Sequence, residues 1–111
     1  GLRAIAAPDA DPVRVADLYR ELGPAVILSW LLTWTYDLVQ IRFCGRCRYH
    51  RDMEGIATDI ARSLDPVRAT RLHRSLLALQ RHVNHPLNPR LLVEHMLITY
   101  QQGMGEGAIA T

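Results

Sequence analysis

The sequence predicts an all-α fold, a compact bundle of five helices, and three observations support this prediction. An aspartate or asparagine stands directly before a proline at Asp11-Pro12, Asp65-Pro66 and Asn88-Pro89. The side-chain oxygen can accept the free N–H groups of a first helical turn, and proline is tolerated at the first helical position. Apolar residues recur at helical spacing after these signals, and no segment alternates as a half-buried strand would.

Length and composition indicate one ordinary globular domain. A chain of 111 residues can bury a core without disulfides, and it has only two cysteines. All 13 basic residues are arginine, and the net charge of +2 is too small to indicate a nucleic-acid partner. The apolar run 24–36 is too short to span a bilayer, and no signal peptide is visible. We therefore expect a cytoplasmic protein without membrane contact, and the initial Gly1 suggests a piece of a larger protein.

The predicted helical domain covers residues 11–102. Residues 1–10 are small and apolar, and they are expected to be a linker or the end of a preceding domain. The first helix follows over residues 11–22, and Gly23-Pro24 ends it and begins the second. Three more helices are expected over residues 50–64, 66–83 and 89–102.

The second helix, over residues 24–43, is the unusual element. It carries two apolar strips, which are Ile27, Leu31, Trp34, Leu38 and Ile41 in the first and Leu28, Leu32, Tyr36, Val39 and Phe43 in the second. Only a narrow polar stripe of Ser29, Thr33, Asp37 and Gln40 separates them. A helix that is apolar over most of its circumference must be covered on more than one side. We expect the other helices, or a neighbouring chain, to provide this cover.

The last two helices are joined by a short hinge that forces them to pack antiparallel or at a steep angle. Past residue 102, Gly103, Gly105 and Gly107 interrupt the apolar pattern. Residues 103–111 are therefore expected to be a flexible tail.

The spacing Cys44-x-x-Cys47 with His50 is the only pattern typical of a metal site. A structural zinc site normally needs four ligands, and a redox dithiol normally lies where a strand meets a helix. We therefore predict free thiols, no metal and no cofactor.

His82 and His85 flank the hinge, where a histidine charge suits the end of a helix. No side chains have the spacing of a nucleophile and its base, so we expect no catalysis.

Asp37 lies among large apolar residues and admits two interpretations. It could face water from the polar stripe. It could instead pair with an arginine, within the domain or across an interface, because a buried unpaired carboxylate is costly.

We expect most of the arginine side chains of the fourth helix to face water, although arginine is also enriched at protein interfaces. These residues are Arg68, Arg71, Arg74 and Arg81. Trp30 and Trp34 stand one turn apart, and either one would be a contact residue if it were exposed. The candidate interface residues are Trp30, Trp34, Asp37, Arg68, Arg71 and Arg90.

Three segments of the chain together resemble a known family. The segments are Trp30-Leu31-Leu32 with Tyr36-Asp37-Leu38, then Ile60-Ala61-Arg62 through Leu79, then Leu87-Asn88-Pro89-Arg90-Leu91-Leu92-Val93-Glu94. In order and spacing they are similar to the C-terminal domain of the bacterial DNA polymerase III delta-prime subunit. This resemblance covers residues 12–102, and it implies a helical bundle of the clamp-loader collar type.

The resemblance implies a non-catalytic oligomerisation domain. In that family the collar domains join in a five-membered ring that holds the ATPase modules in order, so that the clamp loader can place the sliding clamp on primed DNA. The implied partners are clamp-loader subunits of the gamma/tau and delta types, with DNA reached only through the full complex. We expect the isolated chain to self-associate through its uncovered apolar surface.

Three alternatives stay open at this point. One is a helical nucleic-acid-binding module, for which DNA binding would weaken when Arg71 and Arg74 are changed. Another is a zinc or thiol-active protein that uses Cys44 and Cys47. The third is the collar domain of another clamp-loader subunit, because a fold alone does not settle identity.

Overall fold

The computed structural model of the chain describes residues 23–84 and 88–109, with side chains as far as Met104. Within these residues the fold is all-α, as predicted. Four α-helices are present: α1 (Pro24–Cys44), α2 (Glu54–Ser63), α3 (Pro66–Ala78) and α4 (Pro89–Ile109). The predicted helix over residues 11–22 lies outside the described residues, so the fifth helix stays a prediction. None of the described helices is both long enough and apolar enough to cross a bilayer.

Two of the three predicted helix starts are confirmed by their hydrogen bonds, and the third, Asp11-Pro12, lies outside the described residues. The Oδ1 atom of Asp65 accepts the N–H of Val67 at 2.8 Å at the start of α3. At the start of α4, Oδ1 of Asn88 accepts the N–H of Leu91 at 3.2 Å. The end of α1 is made by Gly45, whose φ of 79° favours glycine and whose N–H donates to the carbonyl of Ile41 at 2.8 Å.

The structure corrects three predicted helix boundaries. The third predicted helix begins as a single 3₁₀ turn, Arg51–Met53, before α2. The fourth narrows to a second 3₁₀ turn, Leu79–His82, before its predicted end at residue 83. The last helix does not stop near residue 102 but continues to Ile109. Residues 103–111 are also predicted to be flexible, and the end point of the helix does not test that prediction.

The core of the domain is built around α1, which packs against α2, α3 and α4, while α3 also packs against α4. The first apolar strip of α1 faces this core, and its five members are at most 7 % exposed. The other helices contribute the remaining buried side chains, mainly Ala57, Ala61, Ala69, Leu72, Leu76, Val93, Met96, Leu97 and Tyr100. Ile56, by contrast, is 39 % exposed on α2.

The second apolar strip of α1 is covered unevenly. Leu28 is buried, and Leu32 and Val39 pack against the core while partly exposed. At the last turn of the helix, Phe43 is 71 % exposed. The prediction that α1 needs cover on several sides is therefore confirmed over most of its length, and the C-terminal end of the second strip is where cover is lacking.

Gly103 lies where α4 packs closely against α3. A Cβ atom at this position would lie 2.7 Å from Cδ1 and 3.1 Å from Cβ of Leu72, a side chain that is itself buried. The glycine therefore allows the two helices to pack closely, and α4 continues through it.

We expect Gly103→Ala to lower the free energy of unfolding by about 1 kcal/mol, because the added methyl group must displace Leu72 in a packed core. The matched control is Gly55→Ala on α2, where an added Cβ meets no atom within 4 Å. Alanine there should stabilise the helix by about 0.5–1 kcal/mol. Urea unfolding followed by circular dichroism measures both variants. A Gly103→Ala variant that is as stable as Gly55→Ala would contradict this account of the α3–α4 contact.

Candidate interaction surface

The carboxylate of Asp37 organises the connection between α1 and α2. Its side chain is fully buried and accepts three backbone N–H groups of the turn that follows α1. Oδ1 accepts from Arg48 at 2.9 Å and from Tyr49 at 3.1 Å, and Oδ2 accepts from His50 at 2.7 Å. Hydrogen bonds to an ionised acceptor are about twice as strong as those between neutral groups. They compensate the carboxylate for the water that it loses on burial.

Neither predicted environment of Asp37 is the one observed. The carboxylate faces neither water nor an arginine side chain, because the connection folds back over the polar stripe of α1. Thr33, on the same stripe, lies 2.8 Å through its hydroxyl from Nε2 of His50. The carboxylate of Glu54 secures the other end of the connection by accepting the N–H of Cys47 at 2.9 Å.

The two cysteines occupy different environments within this connection. Cys44 is exposed and Cys47 is buried, and both are free thiols. Burial raises the pKa of Cys47 to about 11, and the charges of Asp37 and Glu54 act in the same direction. Among the described residues, no group of three or more histidine, cysteine or acidic side chains is placed to hold a metal ion. Within this connection, burial and the neighbouring carboxylates both disfavour the thiolate form of Cys47.

Trp34 and Trp30 differ in their exposure. Trp34 is fully buried, and its Nε1 donates a hydrogen bond to the hydroxyl of Tyr100 at 2.9 Å. Burial also raises the pKa of this tyrosine, Tyr100, well above its usual range. Trp30, by contrast, is partly exposed and packs against the core. Trp34 and Asp37 therefore have no exposed surface for a partner, whereas Trp30 keeps some.

The outer face of α3 is strongly cationic. Arg68, Arg71 and Arg74 follow one another at intervals of three residues, and the helix contains no acidic residue. Like charges one turn apart destabilise a helix by about 0.2–0.5 kcal/mol per pair, and a positive charge near the start of a helix opposes its dipole. Neither Arg71 nor Arg74 forms an ion pair with a described residue. The guanidinium groups of Arg71 and Arg74 therefore stand on the surface without a carboxylate among the described residues.

An open groove joins this cationic face to the uncovered end of α1. Phe43 is 71 % exposed and Val67 is 56 % exposed, and both line the groove. Pro66, Thr70, Arg71 and Arg74 complete its lining, and its volume is about 290 Å³. We call the four side chains Phe43, Val67, Arg71 and Arg74 the α3 patch.

A second cleft lies on the opposite flank of α3, toward α4. It has a volume of about 310 Å³, and its lining is polar: Arg68, Arg71, Ser75, Thr99, Gln102 and Gly103. Arg71 lines both openings. The predicted candidates Arg68 and Arg71 therefore lie together on one side of the domain.

A row of rings continues along the seam between α1 and α3. The ring of Tyr36 lies 5.5 Å from that of Tyr49 and 6.2 Å from that of His73. His73 also lies 2.7 Å through Nδ1 from the hydroxyl of Thr35, and burial lowers its pKa. The guanidinium of Arg48 stands 5.4 Å from the centre of the Tyr49 ring. Three rings therefore form a row beside the contact between α1 and α3, and Arg48 lies against the Tyr49 ring.

Arg90 lies on α4 and does not belong to the α3 patch. Its Nε atom donates to Oε1 of Glu94 at 3.2 Å, one turn along the same helix. Exposed pairs of this kind are worth about 0.3–0.5 kcal/mol. Its neighbour Leu91 is 59 % exposed, which leaves the start of α4 as a separate apolar surface.

Three members of the α3 patch, Phe43, Val67 and Arg74, are not among the predicted interface residues. The sequence pattern assigns Phe43 to an apolar strip, and the end of a helix is where such a strip most easily loses its cover. Val67 stands next to Arg68 and one turn before Arg71. An apolar residue among surface arginines is the feature of the sequence that could have identified Val67 as a contact residue.

Replacing Asp37 by asparagine should lower the free energy of unfolding by about 1.5–3 kcal/mol, since the amide N–H₂ would face backbone donors. Asp59→Asn, at an exposed site on α2, is the matched control and should change stability by less than about 0.5 kcal/mol. Chemical denaturation of the two variants provides the measurement. Equal stabilities would show that the buried charge does not hold the connection.

Iodoacetamide at pH 8 should modify Cys44 well before Cys47. Cys47 is buried and its pKa is about 11, so about one thiol in a thousand is ionised at that pH. Mass spectrometry of timed samples gives the two rates, and the same reaction in urea serves as the control in which both thiols react. Equal rates in the folded protein would contradict the described burial of Cys47.

Comparison with known protein families links this chain to DNA replication. The family described as "DNA polymerase III, delta subunit, C terminal" matches residues 1–102. No curated protein and no solved structure matches the chain. The family consists of domains from clamp-loader subunits, which are non-catalytic accessory parts of the polymerase III complex, and the match does not separate delta from delta-prime. Because the match covers nearly the whole sequence, the chain belongs to the family of C-terminal domains from DNA polymerase III delta subunits.

Proposed function

We propose that the chain is an oligomerisation, or collar, domain that joins one member of a clamp loader to its neighbours. The family match over residues 1–102 is the observation that carries this proposal. In this role the domain binds the matching domains of gamma/tau and delta type subunits and fixes the position of its own subunit in the ring. It takes part in loading the sliding clamp without catalysing a reaction, and a clamp loader works in the cytoplasm.

The distribution of surface side chains supports this role. Phe43, Val67 and Leu91 are each more than half exposed, on two separate parts of the domain. A subunit within a ring must contact two neighbours through different surfaces. Two separate apolar regions are consistent with that requirement.

The proposal also names the clamp-loader subunit to which the domain belongs. We favour delta-prime, because the three segments around Trp30, Ile60 and Asn88 resemble the C-terminal domain of that subunit. Exchange experiments can separate delta from delta-prime, since the chain should replace only its own counterpart in a reconstituted clamp loader.

A nucleic-acid-binding role is the alternative, and the arginine face of α3 favours it. It differs from the collar role in what the chain binds by itself. The collar role requires stable binding to clamp-loader subunits without DNA, whereas the alternative requires binding to DNA without those subunits.

We expect the chain to co-elute with the other clamp-loader subunits of its organism in size-exclusion chromatography, and we expect a subunit that lacks it to elute separately. Fluorescence anisotropy with labelled single- and double-stranded DNA, measured on the same preparations, tests the alternative. Normal assembly of the truncated subunit would refute the collar role. Tight DNA binding by the isolated chain, without subunit binding, would establish the alternative instead.

A further inference from the structure

We propose that the α3 patch receives an acidic helix face with an apolar centre from a neighbouring clamp-loader subunit. This inference rests on the proposed collar role and adds to it the surface that is used and the chemistry of the partner. Phe43 and Val67 supply the apolar floor of the groove, and Arg71 and Arg74 stand beside them.

The charge of the patch selects the kind of partner. Arg71 and Arg74 are exposed and have no ion pair with a described residue, and α3 supplies no carboxylate. Arginine binds a carboxylate through two parallel hydrogen bonds, and it is enriched together with aromatic residues at protein interfaces. A partner that presents carboxylates would also relieve the repulsion between the two guanidinium groups.

The apolar part of the patch favours a protein over a nucleic acid. Val67 and Phe43 are both more than half exposed, and Pro66 lies beside them in the groove. Nucleic-acid interfaces are more polar than protein interfaces, whereas an aliphatic side chain fits a groove of this kind as an anchor. A helix that carries one large apolar residue between carboxylates matches both properties of the patch.

The domain itself displays a face of this composition elsewhere. Ile56 is 39 % exposed on α2, Asp59 is exposed one turn later, and Asp52 is exposed in the 3₁₀ turn that precedes the helix. Subunits arranged head to tail use two different surfaces, one for each neighbour. If the matching domains share this design, the acidic α2 face of one subunit meets the basic α3 patch of the next.

Charge reversal within the reconstituted clamp loader tests the inference. The variant Arg71→Glu/Arg74→Glu should weaken incorporation of the chain by about tenfold or more, and Phe43→Ser should weaken it as well. The control Arg81→Glu, compared with the single variant Arg74→Glu, makes the same change of charge at an exposed site outside both the α3 patch and the acidic α2 face, and it should assemble within about twofold of the wild type. Circular dichroism and thermal unfolding confirm that each variant is folded.

Crosslinking identifies the occupant directly. With p-benzoyl-phenylalanine in place of Phe43, irradiation of the assembled complex should attach the chain to a segment that carries at least two acidic residues within one helical turn of an apolar residue. Crosslinks to DNA or to a basic segment, or no crosslink in a complex that has formed, would overturn the inference.

The outcomes separate this inference from the collar role itself. If the wild-type chain does not enter the complex, the collar role fails. If the wild type and the charge-reversed variant both enter normally, only the assignment of the α3 patch fails. If the double substitution abolishes self-association of the chain while incorporation is unchanged, the occupant is a second copy, and the inference is again overturned.

Discussion

The fold depends on how a single buried negative charge is accommodated. Asp37 is fully buried on the central helix, and its hydrogen-bond donors come from residues outside that helix. The connection after α1 therefore folds back, and three consecutive backbone N–H groups of residues 48–50 converge on the carboxylate. This arrangement closes the polar stripe of α1 and directs the chain toward α2. Exposed Arg48 and Tyr49 are held on the outer side of the same short segment.

The same central helix links the core to the surface. One of its apolar strips is wholly inside, and the other passes from buried at Leu28 to exposed at Phe43. The uncovered turn of α1 lies against the start of α3, where the arginines are concentrated. The same helix thus contributes the centre of the core and one side of the surface that we assign to a partner.

The sequence is sufficient to predict the helices wherever local chemistry decides the structure. Asp65-Pro66 and Asn88-Pro89 specify helix starts through side-chain hydrogen bonds that form within one turn, and the first strip of α1 follows from periodicity alone. Asp37 cannot be placed in this way, because its partners are backbone groups more than ten residues away. The predicted end of the last helix near residue 102 is wrong for a similar reason. Local propensity treats glycine as a helix breaker, whereas here Gly103 accommodates Leu72 from another helix.

The candidate surface is predictable only in part. Arg68 and Arg71 can be identified because charge is visible in sequence, and they do lie together on α3. Residue type alone also selects Trp34 and Asp37, but the fold places both inside. Phe43 becomes notable only because the end of α1 lacks cover, which is a property of the packed helices and not of the sequence pattern.

The chain contains no lysine, and burial lowers the pKa of His73, the histidine of α3. The positive charge along α3 is therefore carried by guanidinium groups, which do not release a proton in any cellular compartment. A contact made through them would keep its strength as acidity fluctuates during growth or stress. Such a joint suits a permanent part of a replication machine better than a switch that opens and closes.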